Sequence, residues 1–204
     1  MEFTVNLKVM SYNMHGYFQG CPALDELIPV EQPDVILLQE HWLTPAKLSS
    51  FDDHFVDYFA FGCSAMSDCI ELGMLRGHPY GGVICLVAKK LLKFATTIYC
   101  DERFTVVKIF NCLFFNVYLP CVGSINRLQI VTSILDDLSS YFEDYHDCTF
   151  VMAGDFNVNL DSNDVVACRI QRLISEFSLV RCNDLFPAEK SIHMLTCLLI
   201  SIAP

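Results

Sequence analysis

The amino-acid sequence predicts one layered α/β domain. Short strand-like runs alternate with two amphipathic helical stretches, and no linker, short-period repeat or low-complexity segment divides them. At 204 residues the chain suffices for one domain with a substantial core and is short for two. Residues 3–12, 35–39, 55–61, 82–87, 105–110, 113–119 and 149–153 each fit a strand. They are short, rich in Val, Ile, Phe and Tyr, and bounded by Gly, Pro, Asn or Asp. Between Ser124 and Tyr145, the apolar residues Leu128, Val131, Leu135, Leu138, Phe142 and Tyr145 recur at helical steps, with Ser124 as the expected N-cap. Val166, Ile170, Leu173, Ile174 and Phe177 mark a second helix. A shorter helix is expected at Thr44-Pro45, where a cap residue precedes a proline suited to a first turn, and another over residues 23–28. The chain closes on an uncharged apolar tail from Met194 to Pro204, readable as a last buried strand or as a segment whose continuation is missing.

Composition excludes several classes. Apolar residues make up 53% of the chain and charged residues 18%, unlike a disordered polypeptide. The longest apolar stretches, 83–88 and 112–122, are short or interrupted by Asn116 and Pro120. Neither approaches the ~18 consecutive apolar residues of a spanning helix. Glu2, Asn6 and Lys8 break any apolar core of a signal peptide, so no membrane span and no secretion are expected, and the protein is read as intracellular, nuclear or cytoplasmic. Eleven cysteines without metal-ligand spacing read as buried reduced thiols acting as small apolar residues. A net charge of −11 provides no basic footprint for tight DNA binding, yet leaves a metal-bridged phosphodiester substrate open.

Three strand ends carry polar residues where the apolar pattern stops: Asn13 in Ser11–Gly16, Glu40 in Leu38–His41, and Asp155 and Asn157 in the Gly154–Asn157 run. In layered α/β folds, ligand sites gather at such carboxyl edges. Carboxylates beside amides suit a hard divalent cation, which takes one or two carboxylates plus waters and phosphate. Read alone, each residue is more often a turn residue or a cap.

In order, Asn13, Leu38-Gln39-Glu40, Asn116-Val117-Tyr118-Leu119-Pro120 and Gly154-Asp155-Phe156-Asn157 resemble the endonuclease/exonuclease/phosphatase superfamily from about Val9 to about Pro187. Pro79-Tyr80-Gly81-Gly82-Val83 and Asp184-Leu185-Phe186-Pro187 narrow the resemblance to endonuclease domains of non-LTR retrotransposons, relatives of apurinic/apyrimidinic endonucleases. Read without the family, Gly81-Gly82 is a tight lead into a strand and 184–187 a turn. The resemblance implies a four-layer sandwich of two packed mixed β-sheets flanked by helices, its last strands missing. It implies DNA as the ancestral substrate, no small-molecule cofactor, and Mg²⁺ with Mn²⁺ as an alternative. It also admits a reverse transcriptase domain in a longer parent. Position by position, Glu40 becomes the principal metal ligand and Asn13 helps position metal and phosphate. Asp155 prepares the attacking water, Asn157 holds the scissile phosphate, and Tyr118 contacts the phosphate, with a packing role as its plain alternative.

Two departures from the pattern bear on activity. His15 stands where many relatives carry an oxygen-bearing metal-site residue, and imidazole suits Mg²⁺ poorly, so an exposed turn histidine is expected. Relatives also end on a Ser-Asp-His motif that holds and protonates the phosphate. Here Ser191-Ile192-His193-Met194 leads into the apolar tail, and the role is not carried to His193. The domain is therefore expected over residues 1–190, C-terminally incomplete, with 191–204 a tail of uncertain origin. Three readings follow: a weak Mg²⁺-dependent nuclease, a non-enzymatic truncated remnant, or a phosphatase acting on an inositol phosphate or phospholipid.

Overall fold

The computed structural model describes residues 6–73, 78–182 and 196–201. In chain order the elements are β1 (Val9–Asn13), α1 (Tyr17–Glu31), β2 (Val35–Gln39), α2 (Ser50–His54), β3 (Tyr58–Cys63), α3 (Ser67–Glu71) and β4 (Val83–Ala88). Then follow β5 (Ala95–Cys100), β6 (Phe104–Ile109), β7 (Cys112–Tyr118), α4 (Arg127–Asp144), β8 (Thr149–Asp155), α5 (Val165–Glu176), β9 (Leu179–Arg181) and β10 (Thr196–Ser201). Two mixed sheets form, one ordered β1-β2-β4-β3 and the other β5-β6-β7-β8-β10-β9. Their parallel pairs are β1 with β2 and β7 with β8.

Strand alternation sorts the side chains into three apolar layers. Val35, Leu37, Cys85 and Val87 of the first sheet face Val107, Ile109, Phe114, Val151 and Ala153 of the second. On the outer side of the first sheet, Ile36, Leu38, Ile84 and Leu86 pack against Tyr17, Cys21 and Leu24 of α1 and Phe51 of α2. Beyond the second sheet, Phe115, Val117, Phe150 and Met152 pack on Val131, Leu135, Leu138 and Phe142 of α4 and on Val166, Ile170 and Leu173 of α5. The expected four-layer α/β sandwich is the architecture found.

Several elements differ from their expected bounds. The long helix begins at Arg127 after Asn126 in a left-handed conformation, not at a Ser124 cap; Ser124 contributes its carbonyl to the Arg127 N–H at 3.2 Å. Thr44-Pro45 opens a single 3-10 turn, Pro45–Lys47, ahead of α2. α1 runs well past 23–28 and tolerates Pro22 and Pro29 inside it, because Tyr17, Cys21 and Leu24 are buried on the first sheet. β5 escapes sequence reading because it is an edge strand with Thr96 and Thr97 exposed, so its apolar pattern is broken. The apolar tail supplies β10, which pairs antiparallel with β8 on one side and β9 on the other. Among the cysteines whose side chains are described, Cys21, Cys85 and Cys148 are buried free thiols, whereas Cys121 and Cys168 are exposed. Among the described residues no helix is long and apolar enough to cross a membrane.

Candidate active site

Parity places the polar residues. Val9, Ser11 and Asn13 alternate on one face of β1, as do Val35, Leu37 and Gln39 on β2 and Val151, Ala153 and Asp155 on β8. In each case the apolar members belong to the layer between the sheets, so Asn13 and Asp155, the last residues of their strands, emerge at the carboxyl edge of that layer. Tyr118 ends β7 and lies in register with Asp155.

A single side chain joins the two sheets there. The Asn13 amide donates from Nδ2 to Glu40 Oε1 at 2.9 Å and to Asp155 Oδ2 at 2.7 Å. Its Oδ1 accepts from the His15 N–H at 2.9 Å, which closes the turn after β1. Two carboxylates from different sheets thus converge on one amide nitrogen. Asp155 Oδ1 accepts from the Asn157 N–H at 3.0 Å, and Asn157 Nδ2 donates to the Leu119 carbonyl at 2.9 Å. The structure therefore brings Asn13, Glu40, Asp155, Asn157 and Tyr118 to one edge. His15 is exposed, has φ 48°, and sets its ring 4.8 Å from that of Trp42.

Burial raises the Asp155 carboxyl above its ordinary range, and the nearby Glu40 charge adds to this. The bonds from Asn157 and Asn13 work the other way without cancelling it. Tyr118 is raised far above the ordinary phenol range, chiefly by burial and then by Glu40 and Asp155, so it stands as a neutral O–H donor. The Arg103 guanidinium, 5.5 Å from the Tyr118 ring centre, opposes that shift.

Glu40 lies one residue beyond β2 with φ 55°, and Trp42 also has φ 55°. This bent segment is tied down by its backbone. Glu40 N–H donates to Gly82 O at 2.9 Å, Trp42 N–H to Gly81 O at 3.1 Å, and Gly16 N–H to Glu40 O at 2.8 Å. Gly82, at φ 85°, lets the chain pass against the His41 ring, where a Cβ would collide with Nε2. His41 is fully buried; its Nδ1 accepts from the Leu43 N–H at 3.0 Å, which leaves Nε2–H to donate to Cys63 O at 3.0 Å. Burial lowers its pKa to about 4, so the ring is neutral. The Trp42 indole N–H donates to Glu40 Oε2 at 3.2 Å.

Sequence reading gave no role of their own to the residues that fasten this edge. Gln39 and Asn116, both fully buried, meet across the inter-sheet layer with Nε2 to Oδ1 at 2.6 Å. Asn116 Nδ2 also donates to Leu38 O at 2.8 Å and Ile84 O at 3.0 Å. Their signal was one polar residue at an inward position of an otherwise apolar strand. Arg127, at the start of α4, donates to Pro120 O at 3.0 Å and to Asn157 O at 2.9 Å, tying two strand-end loops together. No local pattern marks it. The 184–187 and 191–194 stretches lie outside the described residues.

The donor set fits a hard, water-rich cation. Two carboxylates with free lone pairs stand beside an amide, as Mg²⁺ requires. Among the described residues no group of three or more His, Cys, Asp and Glu could cage a metal.

Comparison with known proteins bears on the family and the fold. A family model described as the Endonuclease/Exonuclease/phosphatase family matches residues 10–189. An AP endonuclease from Leishmania major superposes with a TM-score of 0.71 at 15% identity, covering 96% of this chain and 79% of that one. A 3′ phosphatase from Neisseria, solved with a product DNA hairpin, gives 0.67 at 14% identity, with 96% and 87% covered. An AP endonuclease from Archaeoglobus fulgidus gives 0.65 at 15% identity, with 96% and 86% covered. At these identities the likeness is one of fold. No curated protein matches the sequence.

Proposed function

The chain belongs to the endonuclease/exonuclease/phosphatase family, and we propose that it is a Mg²⁺-dependent phosphodiester hydrolase acting on DNA, with slow turnover. The observation that carries the reading is the Asn13 amide bridging Glu40 and Asp155 from two different sheets. A bound Mg²⁺, held by Glu40 with Asn13 beside it, would neutralise charge at the phosphorus. Asp155 takes the proton of the attacking water at a carboxylate oxygen; its raised pKa makes it a better base than an ordinary aspartate. Tyr118, kept neutral, donates its O–H to a phosphate oxygen. Asn157 uses one amide hydrogen on Leu119 O and offers the other to the phosphate.

Slow turnover follows from the leaving group. Among the described residues, His41 is sealed and neutral and the His15 ring lies 4.8 Å from that of Trp42, so neither is placed to protonate the departing oxygen. The DNA substrate, and a DNA-nicking role of the kind found in non-LTR retrotransposons alongside a reverse transcriptase, are supported by the Pro79–Val83 resemblance. The likeness to an AP endonuclease and to a DNA-bound 3′ phosphatase supports DNA as the substrate.

Supercoiled plasmid incubated with the 204-residue protein and Mg²⁺ is expected to accumulate nicked circles. Chelation should stop the reaction, and Glu40→Ala and Asp155→Ala should abolish it. Equal nicking by wild type and both variants would rule the reading out.

A further inference from the structure

Resting on the phosphodiesterase reading above, the geometry points to a nucleobase-binding groove beside Glu40, which selects substrates with an unpaired base flanking the scissile phosphate. A groove of about 610 Å³ is lined by Tyr17, Phe18, Trp42, Lys47, His54 and Pro79, among others. That volume lies within the usual range of ligand pockets. Trp42 connects the groove to the candidate site, since its indole N–H is bonded to the Glu40 carboxylate. A ring seated on Trp42 is therefore one side chain away from the reacting centre.

The groove is built for a flat aromatic ligand. Trp42 is held by the Glu40 bond, by His15 at 4.8 Å, and by Gly16, where any Cβ would press on the indole. Phe18 is 82% exposed and meets Tyr17 edge-on at 5.4 Å. Tyr17 is in turn fixed by its hydroxyl on Ser50 O at 3.0 Å and by Phe51 edge-on at 5.0 Å. Phe18 is the exposed ring on this anchored base, with half-buried Trp42 beside it, and such a ring is a stacking platform for any nucleobase. Lys47 and Asp53 share the lining, so the groove has one permanent cation and one carboxylate. An inositol phosphate, with no aromatic ring and several anionic groups, finds little there to recognise it. In duplex DNA the base face is already occupied by its neighbours, so the groove reads an unstacked base.

Trp42 is the sole tryptophan of the chain, so intrinsic fluorescence reports on this groove directly. The full-length protein, with metal chelated, is titrated with a single-stranded thymidine oligonucleotide, with the same sequence as a duplex, and with a soluble inositol phosphate. The single strand is expected to quench Trp42, with the other two leaving the emission near its starting level. Phe18→Ala, at an exposed position, should raise the half-quenching concentration at least about fivefold, the low end of base–aromatic stacking. Equal quenching by inositol phosphate or duplex, or an unchanged Phe18→Ala titration, overturns the groove. A parallel Mg²⁺ nicking assay separates the two claims. Nicking without quenching overturns the groove and keeps the hydrolase; quenching without nicking does the reverse.

Discussion

The two halves of the candidate site reach the same point by different means. The Asn13–Glu40 half hangs on bent backbone: His15, Gly16, Glu40, Trp42, Gly81 and Gly82 all have positive φ, and hydrogen bonds between three separate segments hold them. The Asp155–Tyr118 half is set by strand register, Tyr118 and Asp155 being the last partners of the parallel β7–β8 ladder. Its positive-φ residues are Gly154 and Asn157. A register is local and cooperative, whereas the bent half depends on distant glycines and a buried histidine. The first half should therefore be the more easily broken by changes remote from the chemistry.

The largest effects should fall on activity and be equal for the two halves. Glu40→Ala and Asp155→Ala are each expected to lower nicking about 10²–10³-fold, measured by plasmid relaxation, with little change in urea midpoint. A strongly unequal pair would break the view that Asn13 couples them. Next comes the bent half alone. Gly82→Val forces a side chain into the His41 ring at φ 85° and should cost about 4 kcal/mol in urea unfolding. A cost under about 1 kcal/mol would show that this backbone is not what fixes Glu40.

Asn116→Leu removes the partner of Gln39 and strips donors from the Leu38 and Ile84 carbonyls. About 3 kcal/mol of stability should be lost, because the groups left behind are buried. Acidification comes next. His41 has a folded pKa of about 4, below its unfolded value, so the unfolded chain binds the extra proton between those two values. Its contribution is intact above about pH 6.5, and roughly 2 kcal/mol should be gone by about pH 5. A melting temperature flat across that window would contradict a sealed neutral ring.

The smallest effect is a balance of two opposed terms. Asp155 has a folded pKa raised mainly by burial, so its ionised form penalises the fold above that pKa and the penalty is relieved as pH falls through it. Asp155→Asn removes the buried charge but turns an NH2 toward the Asn13 amide donor, so the urea midpoint of the metal-free protein should move by less than about 1 kcal/mol while activity is lost.

Legibility in the sequence tracked local periodicity. β2, β4, β7, β8, α4 and α5 were readable because their apolar residues repeat with the period of the element they form. β5 was not, since an edge strand needs no continuous apolar face, and α1 was shortened by prolines that burial overrides. Asn13, Glu40, Asp155 and Asn157 were singled out as candidates because each interrupts or ends an apolar run. Trp42, His41, Gln39 and Arg127 look like ordinary loop or strand-end residues in the sequence. Their bonds to Glu40, Cys63, Asn116 and Asn157 link segments that the chain order keeps apart.

By itself the sequence determined the layered α/β class, the faces of its main strands and the polar residues at their carboxyl edges. All of these follow from side-chain period and from the cost of burying polar groups. The tertiary structure alone decided that one asparagine bridges carboxylates of two sheets, that a sealed histidine fixes the backbone below Glu40, and that the lone tryptophan opens a groove beside it. Those are distances between residues far apart in the chain, and a local pattern carries no information about them until the two sheets pack.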